Sequence, residues 1–104
     1  MTITVTQSQD GQTVAARSGD LLELKLRENP TTGFRWQVHE LNNSIVLENA
    51  QFISGSSAVG DAGMRVFTFR AVSPGSTPLQ MKLLREWEGD NSITAWFRIT
   101  INIV

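Results

Sequence analysis

Apolar and polar side chains alternate along almost the whole 104-residue chain, and that period of two constrains its fold more than any other feature. Ile3 and Val5 alternate with Thr2, Thr4 and Thr6. Leu22, Leu24 and Leu26 alternate with Leu21, Glu23, Lys25 and Arg27. Trp36 and Val38 alternate with Arg35, Gln37 and His39. Phe67, Phe69 and Ala71 alternate with Val66, Thr68 and Arg70, and Leu79, Met81 and Leu83 with Gln80, Lys82 and Leu84. The longest run sets Ile93, Ala95, Phe97, Ile99, Ile101 and Ile103 against Thr94, Trp96, Arg98, Thr100 and Asn102. Successive side chains of a strand point to opposite faces, so each run suits a strand with one buried face. No segment keeps an apolar period of 3.6; one short helical turn is allowed near Leu41–Ser44.

Turn residues separate the runs: Asp10-Gly11, Ser18-Gly19-Asp20, Asn29-Pro30, Asn42-Asn43, the 54–57 and 60–63 stretches, Ser73-Pro74-Gly75 and Gly89-Asp90-Asn91. The expected strands cover about 2–7 with an extra piece near 12–16, then 20–27, 34–39, about 45–53, 64–71, 77–84 and 92–103. Short strands with a turn roughly every 8–12 residues indicate an all-β, immunoglobulin-like antiparallel β-sandwich of seven or eight strands. The chain, 1–104, fits a single domain large enough to fold without a disulfide or a metal. Trp36 falls where such sandwiches often bury a tryptophan.

Composition removes several function classes. With no cysteine there is no disulfide framework, thiolate zinc site or cysteine nucleophile. Nine basic and ten acidic side chains give a net charge of −1, and no Lys/Arg run offers a footprint for nucleic acid. No stretch approaches a membrane-spanning helix, and the first residues carry neither a basic nor a long apolar signal region. A cytoplasmic product and a mature periplasmic or secreted domain relieved of its signal peptide fit equally well.

Successive strands of such a sandwich reverse direction, so alternate loops share one end. The loops at 28–33, 54–63 and 85–91 should therefore lie together, and they are also the least ordinary segments of the chain. In the first, Pro30 fixes its φ and pushes Asn29 into the extended region, Asn29 can cap the turn, and Gly33 permits a positive φ. Between them Thr31 and Thr32 are short, β-branched and stiff at χ1. This is either an ordinary Pro/Gly turn or a pre-ordered binding tip. The second loop is rich in small residues and reads as a flexible hairpin tip or as backbone open to close approach. In the third, Trp87 beside Arg85 reads as a binding anchor or as a cover for the end of the core.

The run Asn29-Pro30-Thr31-Thr32-Gly33-Phe34-Arg35-Trp36 resembles the signature of the chagasin-type inhibitors of cysteine peptidases, in which NPTTG precedes an aromatic residue and a Trp. The likeness extends over the chain: a Gly-bearing loop precedes the aromatic strand 66–71, and Arg85-Glu86-Trp87 matches an Arg-x-Trp motif, with Glu86 where the family often has Pro. The resemblance implies an immunoglobulin-like fold and reversible, tight-binding inhibition of papain-like, cathepsin-type cysteine peptidases by a monomeric protein without cofactor or metal. It implies a three-loop wedge made by Asn29, Pro30, Thr31, Thr32, Gly33 and Phe34, by Gly60, Asp61, Ala62 and Gly63, and by Arg85 and Trp87. In that wedge Thr31 and Thr32 face the catalytic Cys–His pair, Trp87 packs on the primed side with Arg85 in support, and 60–63 runs along the non-primed side.

The residues themselves give no reason to expect an enzyme. The only histidine, His39, has no nucleophile or orienting carboxylate in a supporting motif. Glu86, Glu88 and Asp90 share one loop, where a solvated charged turn fits better than a carboxylate pair or a Ca²⁺ site. The competing reading is an immunoglobulin-like carbohydrate-binding or adhesion module with Trp87 or Trp96 as a sugar platform.

Overall fold

The computed structural model describes residues 1–54 and 63–104. Two four-stranded sheets face one another. The first has the order β1-β3-β6-β5, with β1 Thr2–Thr6, β3 Leu21–Glu28, β6 Gly63–Ala71 and β5 Ile45–Ile53. The second has the order β2-β8-β7-β4, with β2 Thr13–Ala16, β8 Ala95–Ile103, β7 Gly75–Leu84 and β4 Arg35–Glu40. The expected sandwich is thus present, with eight strands among the described residues. The possible helical turn near 41–44 is a simple turn, in which Asn42 Oδ1 accepts from the Ser44 amide at 2.8 Å.

Alternation forms the core as read. Val5, Leu22, Leu24, Leu26, Phe67, Phe69, Ala71, Leu79, Met81, Phe97, Ile99, Ile101 and Ile103 are buried between the sheets. Each large apolar side chain buried this way favours folding by roughly 1.5–3 kcal/mol. Trp36 is 4% exposed, and its indole Nε1 donates to the Arg27 carbonyl at 2.9 Å, satisfying the one polar group it brings inside.

The outer pairings differ from a purely antiparallel sandwich. β1 runs parallel to β3, and β2 parallel to β8. The cause is the chain path. After β1 a short 3-10 turn at Gln7–Gln9 carries the chain from the first sheet to the edge of the second. Neither β1 nor β2 therefore meets its partner through a hairpin, and parallel pairing needs such a crossover. The remaining pairs, β3–β6, β5–β6, β4–β7 and β7–β8, are antiparallel.

Register fixes which loops share an end. In the first sheet Glu28 pairs with Gly63 and Ile53 with Met64. In the second, Arg35 pairs with Leu84 and Leu83 with Ala95. The exits of β3, β5 and β7 and the entries of β4, β6 and β8 thus lie at one end, as alternate loops of a sandwich should.

Candidate functional site

The 29–33 segment is a closed hydrogen-bonded unit. Pro30–Thr32 forms one turn of 3-10 helix with Asn29 as its N-cap. Asn29 Oδ1 accepts twice, from the Thr31 amide at 3.0 Å and from the Thr31 hydroxyl at 2.8 Å. The Asn29 carbonyl accepts the Thr32 hydroxyl at 2.9 Å, and Thr32 Oγ1 in turn accepts from the Phe34 amide at 3.3 Å. Proline at the first helical position brings no amide that needs a partner. Both threonine hydroxyls are therefore used within the loop, while Thr31 and Thr32 stay exposed at its tip.

Gly33 closes the turn in the left-handed region, with φ 79° and ψ −5°. A β-carbon here would meet a second obstacle: it would lie 2.5 Å from Cη2 of Trp87. The Trp87 ring thus rests on the bare backbone of Gly33. Of the two readings of Trp87, the cover fails, because the residue is 72% exposed. The ring stands beside the 29–33 tip with most of its surface in solvent.

Arg85 makes a further bridge between the two loops. Its guanidinium carbon sits 4.4 Å from the Phe34 ring centroid, within cation–π range, and its Nε donates to the Thr32 carbonyl at 3.4 Å. Nη1 also reaches Glu88 Oε1 at 3.3 Å. The loop beyond is held by Ser92. Its Oγ accepts from the Arg85 amide at 3.0 Å and lies 2.7 Å from the Gly89 carbonyl, to which it donates. The Glu88 and Gly89 amides both donate back to the Arg85 carbonyl, at 3.0 and 3.2 Å. These bonds order the Glu86–Ser92 turn without a proline at position 86.

At the far side of the same loop, Lys82 Nζ donates to Asp90 Oδ1 at 2.8 Å. That hydrogen bond, and then the ammonium charge, lowers the Asp90 carboxyl from its ordinary 3.8. A carboxyl lowered by folding adds stability above its unfolded value and loses it as pH falls through its folded value. Lys82→Met should therefore lower Tm slightly at about pH 6, with the gap from the parent closing below about pH 4. Thermal melts across that range check it.

Of the 54–63 loop, Gly60, Asp61 and Ala62 lie outside the described residues. Gly63 is the buried first residue of β6, opposite Glu28. A β-carbon on it would collide with the Ile53 carbonyl and the Phe52 ring. Glycine is thus imposed by packing at the loop's exit.

Two residues at this end escaped the sequence reading. Glu28 has a side chain only 1% exposed, and Arg65, 21% exposed, pairs with it at 2.6 Å. The signal was in the alternation. Glu28 continues the inward series Leu22, Leu24, Leu26, and Arg65 precedes the inward series Phe67, Phe69, Ala71. Opposite charges on two core-facing positions that end in one place announce a buried ion pair. Together Glu28, Arg65 and Phe52 floor a cleft of about 440 Å³ whose other walls include Gly33, Phe34, Glu86 and Trp87.

His39 is exposed and packs edge-on against Trp96, with ring centroids 4.8 Å apart. Arg98 lies over the Trp96 ring at 4.5 Å. An arginine on its face makes Trp96 a poor sugar platform. Among the described residues, no group of three or more His, Cys, Asp or Glu side chains is arranged to hold a metal ion.

An immunoglobulin-like sandwich ending in two braced loops defines a binding module of the loop-presenting kind. The family model for the chagasin family peptidase inhibitors, I42, matches residues 15–101. The chain therefore belongs to the chagasin family of peptidase inhibitors, which also answers the question of enzyme or inhibitor. Chagasin of Trypanosoma cruzi is 29% identical over 101 residues, spanning 91% of this chain and 92% of that protein. Amoebiasin-2 of Entamoeba histolytica is 25% identical over 87 residues, spanning 81% of this chain and 71% of that protein. Among solved structures, the cysteine protease inhibitor EhICP2 of Entamoeba histolytica superposes with a TM-score of 0.88 at 22% identity, covering 99% of this chain and 96% of that one. PbICP-C, solved in complex with falcipain-2, superposes with a TM-score of 0.68 at 12% identity, covering 98% of this chain and 99% of that one. Family membership decides against the carbohydrate-binding or adhesion reading and bears out the immunoglobulin-like fold.

Proposed function

We propose that this protein inhibits papain-like cysteine peptidases by seating the end that carries the 29–33 tip and Trp87 in the active-site cleft. The observation that carries this is the contact of Trp87 with Gly33, which joins an exposed aromatic to a loop whose threonine hydroxyls are already internally bonded. A surface ordered before binding gives up little conformational entropy on association. An exposed tryptophan beside an arginine has the composition of a binding hot spot.

The tip also resists being a substrate. A peptide recognised along a cleft binds in extended form. Thr31 and Thr32 are held in a 3-10 turn closed by a left-handed glycine. Their peptide bond can lie against a catalytic Cys–His pair and fill the space before it, but it does not present its carbonyl as an extended chain does. In this arrangement Trp87 packs on the primed side, Arg85 braces it, and Gly60, Asp61, Ala62 and Gly63 lie along the non-primed side. Chagasin and the falcipain-2 complex of PbICP-C support the choice of target class.

Titration of papain with a fluorogenic substrate tests the proposal, with a serine peptidase as control. Stoichiometric, reversible inhibition of papain alone is expected; no inhibition at micromolar concentration rejects it. Thr32→Arg places a long charged chain at the exposed tip. It should weaken inhibition by at least about a hundredfold, or roughly 2.7 kcal/mol. The Thr32 side chain is exposed, so Tm should move by only a few degrees. A collapse of the fold would instead make the threonine structural.

A further inference from the structure

The two charges beneath the tip do more than close the core. Each oxygen of the Glu28 carboxylate has its own task. Oε1 accepts the Trp36 backbone amide at 2.8 Å. Oε2 accepts Arg65 Nη2 at 2.6 Å and Nε at 3.1 Å. Glu28 ends β3 in the first sheet, and Trp36 lies at the start of β4 in the second. One side chain thus spans the sandwich and ties together the two stems of the 29–33 loop. The Trp36 indole adds a second tie to the Arg27 carbonyl. Through Arg65 the same carboxylate reaches β6 two residues after Gly63, where the 54–63 loop rejoins the sheet. Arg65 is itself held over the Phe52 ring, 5.2 Å from its centroid.

A purely apolar pair could close this end of the core at least as cheaply, since buried ion pairs seldom stabilise more than packed hydrophobes do. What an apolar pair could not supply is a directional acceptor for the Trp36 amide, shared with a fixed guanidinium. We infer that Glu28 is a positioning residue of the inhibitor: its buried carboxylate holds the 29–33 loop in its binding-ready form and couples it to the stem of the 54–63 loop. The inference rests on the reading that this end meets the peptidase, and it concerns a residue too deeply buried to contact one.

Loss of positioning has a kinetic signature. If only a fraction of the free inhibitor holds the competent loop, apparent affinity falls by that fraction. The loss then falls on the association rate, whereas loss of a contact, such as that of Trp87, falls mainly on dissociation. Slow-binding progress curves with papain should show Glu28→Ala associating about tenfold more slowly, with dissociation changed less than about twofold. In the free protein, amide exchange at Thr31, Thr32 and Phe34 should quicken by about the same factor. A merely structural residue would lower Tm and leave both readouts where they were in the folded variant. A folded Glu28→Ala with unchanged association and exchange overturns the inference. Should Glu28→Ala not fold, Arg65→Met removes the guanidinium while leaving the Trp36 acceptor. Slower association and faster exchange at the same amides are expected from it, and parent-like values overturn the inference. Exchange is measured without peptidase, so this result is separate from whether the parent protein inhibits papain at all.

Discussion

Gly33→Ala should weaken inhibition of papain by roughly a hundredfold while leaving a folded protein. Two separate effects converge on this position. The backbone sits at φ 79°, where an L-residue with a β-carbon costs about 1–2 kcal/mol. The new methyl would also lie 2.5 Å from Cη2 of Trp87. Real β-carbons are not found so close to a ring atom, so something must move. Trp87 is the part that can, because it is 72% exposed. The core is not touched, so the stability loss should stay near the backbone cost of about 1–2 kcal/mol. Binding bears the rest, since the ring leaves its station and the tip it rested on loses its neighbour. Inhibition constants and thermal melts on the same preparation separate the two losses.

Trp87→Ala is the second large effect, with the opposite balance between stability and binding. Removing a mostly exposed ring should shift Tm by no more than a degree or two. If Trp87 is a hot spot, truncation costs about 2–4 kcal/mol of binding, or roughly thirty- to a thousandfold. Surface plasmon resonance should place most of this in a faster dissociation rate. The two substitutions share a contact, so they should not add. Once Trp87 is an alanine, Gly33→Ala has no ring to displace, and its remaining cost should approach that of the backbone alone. An additive double mutant would mean that the Gly33–Trp87 contact contributes nothing to inhibition.

Much of this molecule was legible before its structure. The alternation of Leu22, Leu24 and Leu26, of Phe67, Phe69 and Ala71, and of the long 93–103 run fixed which faces are buried, because a strand has no other way to sort its side chains. The sandwich and the shared end of the loops followed from strand count alone. Less visible was everything that depends on partners distant in sequence. The parallel pairing of β1 and β2 depends on where a crossover places an edge strand, and no local residue pattern encodes it. The turns at Gln7–Gln9 and Glu86–Ser92 consist of too few residues to show a helical period.

At the candidate site, Asn29, Pro30 and Gly33 announced a tight turn through their own conformational preferences. The fit of Trp87 on Gly33 could not be read, since the two lie 54 positions apart in the chain. Glu28 was legible in principle. It keeps the inward phase of β3, and a carboxylate at a core position demands partners. The expected strand, 20–27, stops one residue short of it, so its inward phase goes unused. The place proposed for Gly60, Asp61 and Ala62 in the wedge rests on the family resemblance alone.

The most direct test of the central claim is a hydrogen-exchange footprint of the inhibitor free and bound to papain. The account predicts new protection confined to one end: residues 29–34, Gly63–Arg65 and 85–88. Exchange at the opposite end, around Arg17–Asp20 and Ser73–Gly75, should be unchanged. Protection centred on that opposite end, or on the outer face around His39, Trp96 and Arg98, would contradict it.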